Sequence, residues 1–274
     1  RLVLAENEDI QRSVIAEMEP LQRADFVGIM MAMSGLPVTI RLLDPPLHEF
    51  LPRVDELEIK KATAGLSKEE EKLLATAHAW AEFNPMIGTR GVRLGVVKPG
   101  LYEMQVRALM EAAIEVAAKG FKPIIEIMIP LTVTRDELAL ARSWVETAIK
   151  EVAGKKSGAK VSIGTMIETP RAALRADELA EESDFFSFGT NDLTQTTLGI
   201  SRDDYGSFIR HYIENDLVKK DPFQVIDFDG VGALMKLGVE KGRSVKHDLK
   251  IGICGEHGGE PDSVKFCHRL GLNY

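Results

Sequence analysis

Short, near-continuous apolar runs alternate with longer helix-patterned stretches along this chain, and that alternation limits the possible folds more than any other feature. The runs Lys122–Ile129 (KPIIEIMI), Lys160–Ile167 (KVSIGTMI), Asp184–Gly189 (DFFSFG) and Lys250–Cys254 (KIGIC) place apolar residues at successive positions. A strand wetted on one face would alternate, so these strands are expected to be covered on both faces, as in parallel sheets flanked by helices. A further strand is expected over Leu36–Leu43, ended by Pro45-Pro46. Helices are expected over residues 8–33 with a stop at Ser34-Gly35, over 67–82, over Pro99–Lys119 closed by Gly120, and over Thr134–Val152. Others should start at Pro170, lie within Asp229–His247, and run over Pro261–Leu270, with Gly154–Gly158 (GKKSG) as a surface turn.

Repeated β-α units over 274 residues suit one (β/α)8 barrel better than two small domains. A doubly wound sheet would carry GxGxxG at its first strand–helix turn, and none stands there. The expectation is therefore an α/β TIM barrel, a single partial domain over residues 1–274, truncated at both ends. The chain opens at Arg1 inside a helical pattern, and Leu272-Asn273-Tyr274 resembles the start of another apolar segment.

Composition narrows the function classes. Hydrophobic residues at 45% can build a large core, and a formal net charge of −8 does not favour a nucleic-acid surface. Two cysteines, Cys254 and Cys267, make no disulfide framework, which points to a reducing compartment. No apolar run reaches the roughly 18 residues that span a bilayer, so a soluble, cytoplasmic protein is expected.

In such a barrel, functional groups gather at the carboxyl ends of the strands. Arg41, Arg90, Glu168, Asn191, Asp192 and Cys254 all fall at or just beyond such ends, and Glu126 lies within its strand. Glu168 and Asp192 form a candidate pair for a hard cation such as Mg²⁺; each equally suits the cap of the helix that follows. Arg41 and Arg90 suit a bidentate clamp on phosphate or carboxylate, or a salt bridge, which for Arg41 would be with Asp44 or an internal glutamate. Arg93 reads as structural. Cys254 ends a strand before a glycine-rich loop, a place where its thiol could serve proton transfer, whereas Cys267 reads as a small core residue. Met30, Met31 and Met33 read as core filler. His48, His78, His211, His247 and His268 lack metal-ligand spacing, His257 is not assigned a role as base, and the EEEK run at 69–72 reads as a solvated helix face.

The stretch SFGTNDLTQTTLGISRDD (187–204) resembles a signature of the phosphoenolpyruvate-utilising enzymes, a family that includes pyruvate, phosphate dikinases, phosphoenolpyruvate synthases and enzyme I of the sugar phosphotransferase system. TIRLLDPPLHEFLP (39–52), GTRGVRLG (88–95), EIMIPLT (126–132) and CGEHGGEP (254–261) are similar to the dikinase branch, with Thr89 where many of those carry histidine. The resemblance implies a pyruvate- and phosphoenolpyruvate-binding barrel with Mg²⁺ held by Glu168 and Asp192. Arg41 and Arg90 would hold the phosphoryl group, Gly189, Thr190 and Asn191 would line the substrate, and Cys254 would be the acid/base at the methyl carbon. It further implies the phosphotransferase reaction ATP + pyruvate + phosphate to AMP + phosphoenolpyruvate + diphosphate, and homodimers. The implied partner is a phosphohistidine domain of the same full-length chain. Neither that domain nor an ATP-binding domain is recognised in these 274 residues, so the fragment alone is not expected to complete the reaction. The synthase and enzyme I are the near alternatives; a Mg²⁺-dependent pyruvate aldolase or a non-catalytic binding module are the distant ones.

Overall fold

The computed structural model describes residue 5 and residues 7–46, 50–154 and 159–274. Arg1, His48 and residues 155–158 of the expected surface turn lie outside the described residues. The strands are β1 (Pro37–Arg41), β2 (Ile124–Ile129), β3 (Lys160–Ile167), β4 (Phe185–Gly189) and β5 (Lys250–Cys254). They form one sheet, paired in parallel in the order β1-β2-β3-β4-β5. Among the described residues the fold is thus α/β with a five-stranded parallel half-barrel, and eight strands are not seen.

The helices are α1 (Glu8–Ala32), α2 (Val54–Thr63), α3 (Lys68–Ala79), α4 (Val92–Val97), α5 (Leu101–Ala118), α6 (Arg135–Ala153), α7 (Pro170–Leu174), α8 (Ala176–Glu181), α9 (Thr190–Leu198), α10 (Ile209–Glu214), α11 (Val231–Val245) and α12 (Pro261–Arg269). Local chemistry sets their ends. Asn7 caps α1 by accepting from the Ile10 N–H at 2.9 Å, and Ser67–Glu70 and Thr134–Glu137 form capping boxes on α3 and α6. Glu70 of the EEEK run therefore belongs partly to a cap. Gly120, at φ +87°, turns the chain after α5 into β2. The helix expected from Pro170 is two short ones, broken at Arg175. Met30 is buried and Met31 packs on the core, but Met33 is exposed beyond the end of α1 and does not fill it.

Alternating strand residues divide the sheet into two faces. Ile125, Ile127, Ile129, Ile163, Ile167, Phe186, Phe188 and Ile251 join α1, α5, α6, α8 and α11 in the main core. The other face carries Thr39, Glu126, Met128, Met166, Phe185 and Lys250. There Met128, Met166 and Phe185 make a second, smaller cluster on which Cys254 packs. Glu126 accepts from Thr39 Oγ1 at 2.8 Å and pairs with Lys250 Nζ at 2.5 Å. Two strands separate β2 from β5, so on a flat sheet these residues would stand about 14 Å apart with parallel side chains. Their contact requires the sheet to curl towards this face.

Close packing between β3 and β4 depends on Gly164, because a Cβ there would overlap the backbone carbonyl oxygen and ring of Phe185. Neither group is the free end of a flexible chain. Gly164→Ala is expected to cost about 1–3 kcal/mol as an overpacking change, read as a lower urea midpoint; an unchanged midpoint would contradict this packing.

Candidate active site

The carboxyl end of β1 leads into a loop whose backbone is pinned before its charged residue. The Leu43 N–H donates to Gln105 Oε1 at 2.8 Å, and Tyr102 Oη donates to the Leu43 carbonyl at 3.1 Å. Both partners are buried on α5. The loop thereby delivers Asp44, whose side chain has no solvent exposure. A buried carboxylate needs cationic and hydrogen-bond partners, and Asp44 has two arginines. Arg90 Nε and Nη2 reach its oxygens at 2.8 and 2.5 Å, and Arg41 Nη1 lies 3.3 Å away.

Arg90 sits at the turn into α4, next to Gly91 at φ +55°. A Cβ on Gly91 would collide with Leu131 Cβ and crowd Asp44 and the Pro130 carbonyl. The Arg90 side chain is 5% exposed. Besides Asp44, it donates from Nη1 to Asp192 Oδ1 at 3.0 Å and to the Met86 carbonyl at 3.1 Å, and from Nη2 to Asp192 Oδ2 at 3.3 Å. A guanidinium has five N–H donors, and all five are engaged. Burial alone would lower its pKa, but the Asp44 hydrogen bonds and the charges of Asp192, Asp44 and Glu168 more than offset this, so it stays charged. Arg41 is half exposed and not buried as its apolar strand implies, because it ends β1 on the open face. Its pairing with Asp44 fulfils the salt-bridge alternative. Arg93 donates to the Ile87 and Gly88 carbonyls at 2.6 and 3.1 Å and holds the loop before Arg90.

Glu168 follows β3 and is wholly buried. It does not cap the next helix, since Thr169 does so by accepting from the Ala172 N–H. Glu168 Oε1 accepts from the Leu131 N–H at 2.6 Å, while the buried Oε2 has no N–H donor and lies against the Asp192 carboxylate. Leu131 adopts φ +58°, an unfavourable value for leucine that presents its N–H to the carboxylate. Burial, together with the Asp192 and Asp44 charges, raises the Glu168 pKa to about 8. Asp192 is not a cap either: α9 begins at Thr190, and Asp192 turns to Arg90 from its first turn. Burial raises its pKa despite the offsetting Arg90 charge.

Gly189 ends β4 directly over this pair, where a Cβ would overlap Glu168 Oε2. Asn191 Oδ1 is buried and unpartnered, and the Asn191 amide lies against Gly255. Cys254, at the end of β5, directs its Sγ to the Phe188 carbonyl at 3.6 Å. Its pKa is raised, chiefly by burial and further by the Glu168 and Asp192 charges, so a thiol is kept at neutral pH. Cys267 is buried on α12, its pKa raised by burial to about 11, as befits an inert core residue.

The sequence-derived candidates thus converge. Arg90 touches Asp192, Glu168 lies under Gly189, and Cys254 sits beside the same strand end. Glu126 stays apart, since it lies lower in β2 and neutralises Lys250. The sequence offers Asp44 only as a partner for Arg41, yet it joins both arginines. An acid just before Pro45-Pro46, at the end of an apolar strand, is the signal the sequence offers.

Two carboxylates within reach of one another, one carrying a buried oxygen without an N–H donor, fit a hard divalent cation in donor type and charge. Among the described residues no group of three or more His, Cys, Asp or Glu forms a metal cage, so other oxygen ligands would have to complete the shell.

A family described as PEP-utilising enzyme, PEP-binding domain, matches residues 4–274. Pyruvate, phosphate dikinase of Rhizobium meliloti is 51% identical over 276 residues, covering 100% of this chain and 30% of the relative. The chloroplastic pyruvate, phosphate dikinase of Mesembryanthemum crystallinum is 48% identical over 276 residues, and that of Entamoeba histolytica 47% over 284; each covers 100% of this chain, and 29% and 32% of the relative. The chain therefore spans about 30% of the length of the curated relatives it matches.

Proposed function

The chain belongs to the PEP-utilising enzymes, matching their PEP-binding domain, and from that membership we propose that it is the pyruvate- and phosphoenolpyruvate-binding domain of a pyruvate, phosphate dikinase. The observation that carries the site is the wholly buried Glu168, whose Oε2 accepts from no protein N–H or O–H and has only the Asp192 carboxylate against it. In this reading Glu168 and Asp192 hold Mg²⁺. Bound there, Mg²⁺ supplies Lewis-acid stabilisation of the oxygen that becomes negative when pyruvate is in its enolate form.

Arg41, half exposed on the open rim, receives the anionic end of the substrate, and Arg90 adds fixed positive charge beneath it. Asn191, with its free Oδ1, and the backbone of Gly189 and Thr190 line the three-carbon unit. When the phosphoryl group leaves the enol oxygen for a histidine nitrogen, the electron pair of that P–O bond stays on the oxygen as an enolate. The methylene carbon of the enolate then takes the proton from Cys254 Sγ, leaving a thiolate. In the opposite direction the thiolate removes a methyl proton of pyruvate, and its raised pKa makes it the stronger base for that step. The phosphohistidine donor and the ATP-handling domain belong, in this reading, to other parts of a longer chain, with homodimers as the assembly. The half-barrel is likewise taken as five strands of a (β/α)8 barrel, supported by a strand order without the reversal that marks doubly wound sheets.

The test is binding of Mn²⁺ as a Mg²⁺ substitute, followed by electron paramagnetic resonance, with oxalate as a mimic of the enolate of pyruvate. The parent chain should bind both together. Glu168→Gln and Asp192→Asn should each weaken Mn²⁺ at least about tenfold, equivalent to about 1.4 kcal/mol. Undiminished binding in both variants would remove the metal from this pocket.

A further inference from the structure

His257 is wholly buried in the loop after β5, between two groups that fix its protonation. Its Nε2 lies 2.9 Å from the Pro222 carbonyl oxygen, and its Nδ1 lies 2.7 Å from Thr190 Oγ1. A carbonyl oxygen only accepts, so Nε2 carries the proton. A neutral ring then has its lone pair on Nδ1, and the Thr190 hydroxyl must donate to it. Burial favours this neutral form by holding the His257 pKa below its ordinary value.

The ring thereby decides what Thr190 presents. The hydroxyl has one proton, committed to His257, so its 3.4 Å approach to the Cys254 carbonyl is not served by that proton. Thr190 opens α9, whose next residues are Asn191 and Asp192, while His257 lies three residues beyond Cys254. The pair joins the ends of β4 and β5. Pro222, in the segment between α10 and α11, anchors the far side of the ring.

We infer that His257 is a positioning residue of the substrate pocket: as an Nε2–H imidazole it anchors Thr190 and so fixes Asn191 and Asp192 relative to Cys254. This rests on the proposed function for its effect on ligand binding, but not for its hydrogen bonds. A histidine that merely fills space would be indifferent to which ring nitrogen is replaced, whereas an anchor would not. Asparagine places its Oδ1 close to the Nδ1 position and can still accept from Thr190. Glutamine places its Nε2 close to the ring Nε2 position and can donate only to Pro222.

The experiment has two arms on the whole chain. In the first, nitrogen-15 spectra of labelled chain between about pH 6 and 8 should show His257 as the Nε2–H tautomer, and Thr190→Val should shift its Nδ1 resonance. An Nδ1–H tautomer overturns the assignment, with no ligand or His257 variant needed. In the second, oxalate affinity is measured with saturating Mn²⁺. His257→Asn should stay within about threefold of the parent, while His257→Gln and Thr190→Val should each lose about tenfold or more. Equal losses for Asn and Gln, or Thr190→Val binding like the parent, would reduce the ring to filler. A parent chain that binds no Mn²⁺–oxalate would instead overturn the reading of the pocket, and the nitrogen-15 arm would still decide the hydrogen bonds.

Discussion

Arg90→Gln will lower the unfolding free energy by about 3–5 kcal/mol, the usual consequence of stranding one partner of a buried ion pair. Asp44 loses its bidentate partner in a position without solvent, and Asp192 loses its hydrogen bonds beside Glu168. Arg41 cannot substitute, because it reaches Asp44 with a single contact at 3.3 Å. Arg90→Lys should recover only part of the loss, since an ammonium keeps the charge but not the planar fork that meets two carboxylates. Arg90→Gln combined with Asp44→Asn should recover more than the lysine variant by removing the stranded charge itself. Urea unfolding of the three variants measures this, and a loss below about 1 kcal/mol for Arg90→Gln would mean the carboxylates find water.

A second large effect concerns pH and follows from Glu168. Its carboxyl has an ordinary pKa of 4.5 and is raised to about 8 in the fold, burial being the leading cause. Between those values the folded chain keeps a proton that the unfolded chain has released, so stability falls as pH rises through this window. The contribution is complete below the unfolded pKa and is gone once pH passes the folded one. Glu168→Gln should flatten the slope of unfolding free energy against pH across that range. Mg²⁺ should act in the opposite sense, because a carboxylate ligand must first lose its proton. The rise in melting temperature on adding millimolar Mg²⁺ should be small near pH 6 and grow towards pH 8, with proton release seen by calorimetry in buffers of different ionisation enthalpy. A Mg²⁺ effect independent of pH would detach the cation from Glu168.

Much of this arrangement was legible in the residues alone. β3 and β5 begin and end where their apolar runs do, each opening on a lysine that is not buried and running into buried apolar residues. Helices with a buried face and a cap, such as α6, were equally plain. α2 was not seen, and the reason is physical: it buries none of its residues, so it carries no apolar periodicity. α4 is six residues long, too short for a period to emerge. The rim residues could be placed by strand position, but their pairing could not. Arg90 lies 46 residues from Asp44 and 102 from Asp192, and nothing local encodes those contacts. Whether Glu168 and Asp192 cap helices was likewise open until the fold gave the α7 cap to Thr169 and started α9 two residues before Asp192.

The enclosure of Arg90 and Asp44 has a consequence for ionic strength. Mobile counter-ions weaken a charge pair only where they can approach it, as they can around Arg12 and Glu8, whose side chains are 71% and 90% exposed. At 5% and 0% exposure, Arg90 and Asp44 admit neither chloride nor potassium between them. Molar salt should erase the peripheral pairs of this molecule and leave the electric field at its centre almost untouched.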